Sequence, residues 1–144
     1  MKNMNEAKIY QVLVWIWMII MFTVSSIPKL HTPTIDSIIG FDKMAHFAEY
    51  LVFSFLLLNF IIYKFSYLKL IYILPILVFL PILDELHQYP IPGRQFSVLD
   101  IFADILGGFS MLIIFLVINK FRNDQEILKP QHVKIQIDGD KIKK

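Results

Sequence analysis

The chain contains no cysteine. Disulfide frameworks, thiolate metal centres and cysteine nucleophiles are therefore excluded. Charge is scarce too: Asp, Glu, Lys and Arg make up 18% of the 144 residues, against 56% hydrophobic. A disordered chain needs the opposite balance. A soluble domain of this length has too little interior to hide so much apolar side chain. The formal net charge is only +2. That gives no footing for a nucleic-acid partner, which calls for a concentrated basic surface. Glycine is rare as well, five in all, so the adjacent pair Gly107-Gly108 stands out.

What is present is long apolar sequence. Four runs stand out: Ile9 to Ile27, Met44 to Tyr63, Tyr67 to Leu83 and Val98 to Ile118. Charges and histidines within them are few: His46 and Glu49 in the second, Lys69 in the third, Asp100 and Asp104 in the fourth. Each is long enough for a helix to cross a hydrocarbon core of ~30 Å. None shows the strict alternation of a barrel strand, so helices are the remaining way to satisfy the backbone in lipid. Lys2 and Lys8 before a run ending in Val24-Ser25-Ser26 also fit a cleaved leader. The extension to Ile27, with Trp15 and Trp17 in the run, favours an uncleaved first helix.

Basic residues are distributed unevenly. Eleven of the 14 lie before the first run, around the second loop or after the last run. Lys29, Lys43 and Arg94 are the three on the other side. The positive-inside rule then predicts an all-α, integral membrane four-helix bundle with both termini in the cytoplasm. Residues 1–122 form the membrane domain on this reading. Residues 123–144 form a polar, basic cytoplasmic tail, expected to be disordered and to touch anionic lipid. Pro75 and Pro81 are expected to kink the third span.

The polar residues of the spans gather at their outward ends. Asp42, His46 and Glu49 fall at i, i+4 and i+7, one stripe of one helix. Asp84, His87 and Gln88 sit at i, i+3 and i+4, and Asp100, Asp104 and Gly107 repeat the first pattern. Ser97 is placed to cap the fourth helix, with Asp100 three residues on. Glu49 lies seven residues beyond Asp42, roughly 10 Å deeper at 1.5 Å per residue. A carboxylate at that depth costs several kcal/mol if it faces lipid, so Glu49 and Asp104 are expected to face the bundle interior or a wet cavity.

In order, the strings DKMAHFAEY, DELHQ, PGR and SVLDIFADILGG resemble the VanZ-like family of bacterial membrane proteins. The Ser25-Ser26 pair after the first span fits its pattern, and the resemblance covers roughly Trp15 to Leu116. The founding member is associated with low-level resistance to the glycopeptide teicoplanin. The resemblance implies a cell-envelope role and carries no established catalytic mechanism. It marks Asp42, Lys43, His46, Tyr50, Asp84, Glu85, His87, Gln88, Arg94, Ser97, Asp100 and Asp104 as pattern residues.

Three chemistries stay open for this cluster. Six carboxylates, Asp42, Glu49, Asp84, Glu85, Asp100 and Asp104, face only Lys43 and Arg94 as cations. Protons, a bound cation or a cationic substrate would relieve that excess. Carboxylates with His46 and His87 suit a divalent metal such as Zn²⁺, Mn²⁺ or Mg²⁺. Acid–base catalysis without metal would use Asp42, His46, Asp84, Glu85, His87, Ser97, Asp100 and Asp104, with Asp84 and His87 as the leading pair. Lys43, Glu49, Tyr50, Gln88 and Arg94 would then bind substrate, Arg94 orienting an anionic group. The third reading is structural: Arg94 grips carboxylates, Lys43 pairs with Glu85, and the charges pin helices together. The partners implied are the lipid bilayer and either a lipid-linked envelope component or a glycopeptide. The second to fourth spans are expected to line the cavity, with the first as support.

Overall fold

A computed structural model of the protein describes residues 4–28, 39–65 and 67–128. The described residues form four α-helices and no strand: α1 (Met4–Ser25), α2 (Ile39–Lys64), α3 (Ile73–Gln88) and α4 (Val98–Leu128). A 3-10 segment, Tyr67–Tyr72, leads into α3. All four helical stretches are long and apolar enough to cross a bilayer: Met4–Ser25, Asp42–Lys64, Leu70–Gln88 and Val98–Arg122. Among the described residues the four long apolar helices expected from composition are the ones observed.

The packing is inverted relative to a soluble bundle. Trp15, Ile19, Phe79, Leu83, Phe102, Leu106 and Ile113 lie exposed, as a lipid solvent allows. The interior is narrow. Tyr50, Phe53, Ser54, Leu57, Leu58 and Ile61 form one buried stripe at helical spacing along α2. Val14 and Met21 of α1, Ile73 and Leu77 of α3 and Leu112 of α4 close over it. Thus α2 is the central helix, packed most extensively against α4 and then against α1. Trp17 of α1 donates its indole N–H to the Glu49 carbonyl at 3.1 Å, which ties α1 to α2 in the middle of the bundle.

Glycine sets the α2–α4 approach. A Cβ on Gly107 would overlap the backbone carbonyl of Phe47. Only hydrogen at this position lets the two backbones cross so closely. The crossing lies three residues past Asp104 and one past His46, so it also fixes the polar ends of both helices.

One expectation needs correction. Pro75 does not kink a continuous span. It is the third residue of α3, where its missing N–H has no intrahelical partner to lose, and the 3-10 segment precedes it. Pro81 lies inside α3 and is buried. Further on, α4 runs through Leu128, and its apolar, membrane-length stretch is Val98–Arg122. No glycine or proline interrupts 123–128, and Pro130 is the first residue that stops a helix. The remainder of the tail, with His132, lies outside the described residues, as do Lys29 and His31.

Between α3 and α4 the chain turns sharply. The Arg94 amide donates to the Ile91 carbonyl at 3.0 Å, and Gly93 has φ 78°. Proline followed by a left-handed glycine is the pairing of a type II turn, and Gly93 supplies the φ that other residues resist.

Candidate functional site

Successive spans bring the C-terminal ends of α1 and α3 and the N-terminal ends of α2 and α4 together at one end of the bundle. The polar strings sit there for that reason. Ser25 ends α1, Asp42 opens α2, the DELHQ string closes α3, and Ser97 precedes α4.

The deepest polar group joins all four helices. His46 Nδ1 of α2 lies 3.1 Å from Asp104 Oδ1 of α4. His46 is 6% exposed and Asp104 1%. Asp84 of α3, also 1% exposed, accepts from Gln88 Nε2 at 3.0 Å and from the Ser25 hydroxyl of α1 at 3.3 Å, both on Oδ2. Gln88 Nε2 also reaches the Ser25 oxygen at 3.3 Å. Tyr50, one turn beyond His46, is fully buried and makes an edge contact with Phe53.

A second group lies nearer the helix ends. Lys43 Nζ is 2.9 Å from Asp100 Oδ1, a pair between α2 and α4. Asp42 is half-buried beside them, and Asp42, His46 and Asp100 each offer one ligand atom within 4.8 Å of the others. Glu85 is buried, and its Oε1 accepts the Ser97 backbone N–H at 2.7 Å. The Ser97 hydroxyl accepts the Asp100 N–H at 3.3 Å. Ser97 therefore caps α4 as its position suggested. Its own amide is satisfied by Glu85 from another helix, and Asp100 is turned to Lys43 instead.

The expected partners of three residues change. Lys43 meets Asp100 rather than Glu85, because it lies on the α4 side of α2 and a Glu85 oxygen is taken by Ser97. Among the described residues Arg94 grips no carboxylate. Its guanidinium donates to the carbonyls of Val24 at 3.3 Å and Ile27 at 3.4 Å at the end of α1, where the Val24 carbonyl also accepts the Ile27 N–H at 3.1 Å. His87 does not pair with Asp84. At 3.6 residues per turn it lies about 60° to one side of Asp84, while Gln88 lies about 40° to the other, toward the buried stripe. His87 is exposed. Its Nε2 is 2.9 Å from the Ser26 hydroxyl, and its ring packs edge-on against Phe22. Glu49 is half-buried on α2, and its described bond is through its carbonyl to Trp17.

Ser25 and Ser26 thus belong to the site, and α1 does more than support it. The signal was present: two adjacent hydroxyls ending an apolar helix at the level of DELHQ. Ser54, buried beside Gly108, had no such marker. On the α1 face an open groove of about 510 Å³ is lined by Trp15, Met18, Ile19, Phe22, Thr23, Ser26 and His87. It is apolar along α1 and polar where it reaches Ser26 and His87.

Five buried oxygens have no hydrogen-bond partner among the described residues: Tyr50 OH, Ser54 Oγ, Asp84 Oδ1, Glu85 Oε2 and Asp104 Oδ2. Buried polar atoms are rarely left so. Asp84 and Asp104, with His46, also form a second set whose ligand atoms all lie within 4.8 Å. The chemistry available here is that of oxygen and imidazole donors in an apolar surround: holding a cation, holding protons, or binding a polar group.

No curated protein and no solved structure is found to match the chain. The VanZ/LLP1 family model matches residues 3–119, all four helices except the end of α4. Every residue of the polar cluster falls within that match, and the chain belongs to the VanZ/LLP1 family.

Proposed function

We propose that this VanZ-family membrane protein works in the bacterial cytoplasmic membrane, with its polar cluster opening outward. There it engages a lipid-linked or surface component of the envelope, and so lowers susceptibility to glycopeptides of the teicoplanin type. The observation that carries this reading is the groove beside the cluster. An apolar trough along α1 suits an acyl or isoprenoid chain lying parallel to the helix. Its polar end, Ser26 and His87, sits where the head of such a lipid would meet the site. Trp15 to Ser26 spans eleven residues, roughly 16 Å of helix, enough for a long stretch of lipid tail.

A second reading has its own support. Lys43–Asp100, Ser97–Glu85 and Ser25–Asp84 each bridge different helices, as expected of a bundle pinned by buried polar groups. The unpartnered Asp84 and Asp104 oxygens argue against that as the whole role, since a purely structural network satisfies its members.

The test is teicoplanin susceptibility in a Gram-positive host carrying empty vector, wild type, Asp84→Asn or Ile19→Trp, with membrane abundance measured for each. Wild type raises the inhibitory concentration. Asp84→Asn and the groove-filling Ile19→Trp lose the effect at equal abundance. Absence of protection by inserted wild type overturns the reading. Full protection by both variants does the same.

A further inference from the structure

The group His46, Asp84 and Asp104 has the composition and the vacancies of a metal centre. Its three side chains come from α2, α3 and α4. One ligand atom from each lies within 4.8 Å of the other two. Two donors about 2.1 Å from a shared ion lie about 3.0–3.4 Å apart in octahedral or tetrahedral geometry. The His46 Nδ1–Asp104 Oδ1 hydrogen bond of 3.1 Å already holds the two side chains at that spacing, with Asp104 Oδ2 left over.

The independent observation is the state of the carboxylates. Asp84 and Asp104 are both 1% exposed, and each keeps one buried oxygen, Oδ1 and Oδ2 respectively, without a partner among the described residues. Asp84 is oriented for this. Ser25 and Gln88 both donate to Oδ2 and leave Oδ1 free. Outer groups that hold a ligating carboxylate in this way are a regular part of metal sites. One dication would balance two ionised carboxylates beside a neutral imidazole.

The neighbouring set, Asp42, His46 and Asp100, is a weaker competitor. It shares His46, and Asp100 already has the Lys43 ammonium at 2.9 Å. A cation there would sit beside a fixed positive charge.

We propose that His46, Asp84 and Asp104 bind one divalent transition-metal ion, Zn²⁺ or Mn²⁺, deep in the polar end of the bundle. Imidazole with carboxylate selects these over Ca²⁺, which takes six or more oxygens. Three protein ligands leave coordination positions open to water or to a ligand's oxygen. The ion would also tie three helices together. This proposal rests on the donor set and does not depend on the glycopeptide reading.

The test uses the full chain, purified in detergent on a tag without histidine, stripped with chelator and then titrated with Zn²⁺ or Mn²⁺. Metal content per chain and thermal melting are the readouts. Wild type takes up one ion and melts higher when it is present. Asp104→Asn and His46→Gln lose binding at least tenfold. Ser25→Ala, which removes only a positioning bond, weakens it about tenfold. Asp100→Asn still binds. Wild-type protein that takes up neither ion and shows no melting shift overturns the proposal, and this measurement needs no variant to fold. Undiminished binding by both Asp104→Asn and His46→Gln overturns it equally. Resistance assays play no part, so failure here is separate from failure of the envelope role.

Discussion

Glu85 joins two helices through one oxygen. Its Oε1 accepts the Ser97 amide at 2.7 Å, just where the first turn of α4 has donors to place. The bond does not require charge, because a glutamine amide oxygen also accepts, though more weakly than a carboxylate. Glu85→Gln should therefore keep the fold, while Glu85→Ala should lower stability by roughly 2 kcal/mol or more, leaving a buried donor unmet and a void behind. Thermal melting in detergent separates the two. Equal losses would show that the carboxylate charge, not the bond, holds the helices. The motif strings marked Glu85, Ser97, Lys43 and Arg94 from sequence as members of one site. They did not reveal the partners. Helical spacing places residues on a stripe, but which stripe faces which neighbour depends on the rotation of each helix. Arg94 shows the limit. Its target is a set of backbone carbonyls at the end of α1, and these have no side-chain identity to read.

At the scale of elements, two adjacent glycines do different work. A Cβ on Gly107 would overlap the Phe47 carbonyl, and backbone can yield only if α2 and α4 move apart. A Cβ on Gly108 would meet Leu77 Cδ2 at 3.0 Å and Ser54 Oγ at 3.1 Å, both ends of side chains that can shift. Gly107→Ala is expected to cost about 3 kcal/mol, and Gly108→Ala about 1 kcal/mol or less. Detergent melting and folded yield check this, and a Gly107→Ala protein as stable as wild type would mean the crossing is looser than described. The damage should not stop at stability, because His46 and Asp104 meet one turn from the crossing and would separate with it. The four helices themselves were legible from run length and hydropathy. The close approach was legible in outline from the glycine pair. Its partner residue was not, since Phe47 contributes only its carbonyl. The beginning of α3 was misread for a related reason. Two prolines in an apolar run suggest kinks, whereas Pro75 falls in a first turn, where proline fits without cost.

For the whole molecule, the open question is which way the polar end points. Four crossings would put the start of α1 and the end of the fourth apolar stretch on one side and the α1–α2 and α3–α4 connections, with the site, on the other. Geometry alone is symmetrical to inversion, and the basic residues break the symmetry. Lys120 and Arg122 near the end of the fourth span, with Lys8 at the start of the first, lie opposite the polar cluster. Positive residues near span ends stay cytoplasmic, so the cluster should face outward. The lack of cysteine makes this directly measurable. Gln95→Cys, exposed in the α3–α4 connection, should react with an impermeant maleimide applied to intact cells. Ser66→Cys should react only after the membrane is opened. The reverse pattern would place His46, Asp84 and Asp104 near the cytoplasm. A metal centre could persist in that orientation, because its ligands do not depend on the side they face. An action on outer-leaflet lipid could not, because the groove beside Ser26 and His87 would then offer its polar end to the inner leaflet. The labelling pattern therefore separates the two proposals, and only the envelope role is exposed to it.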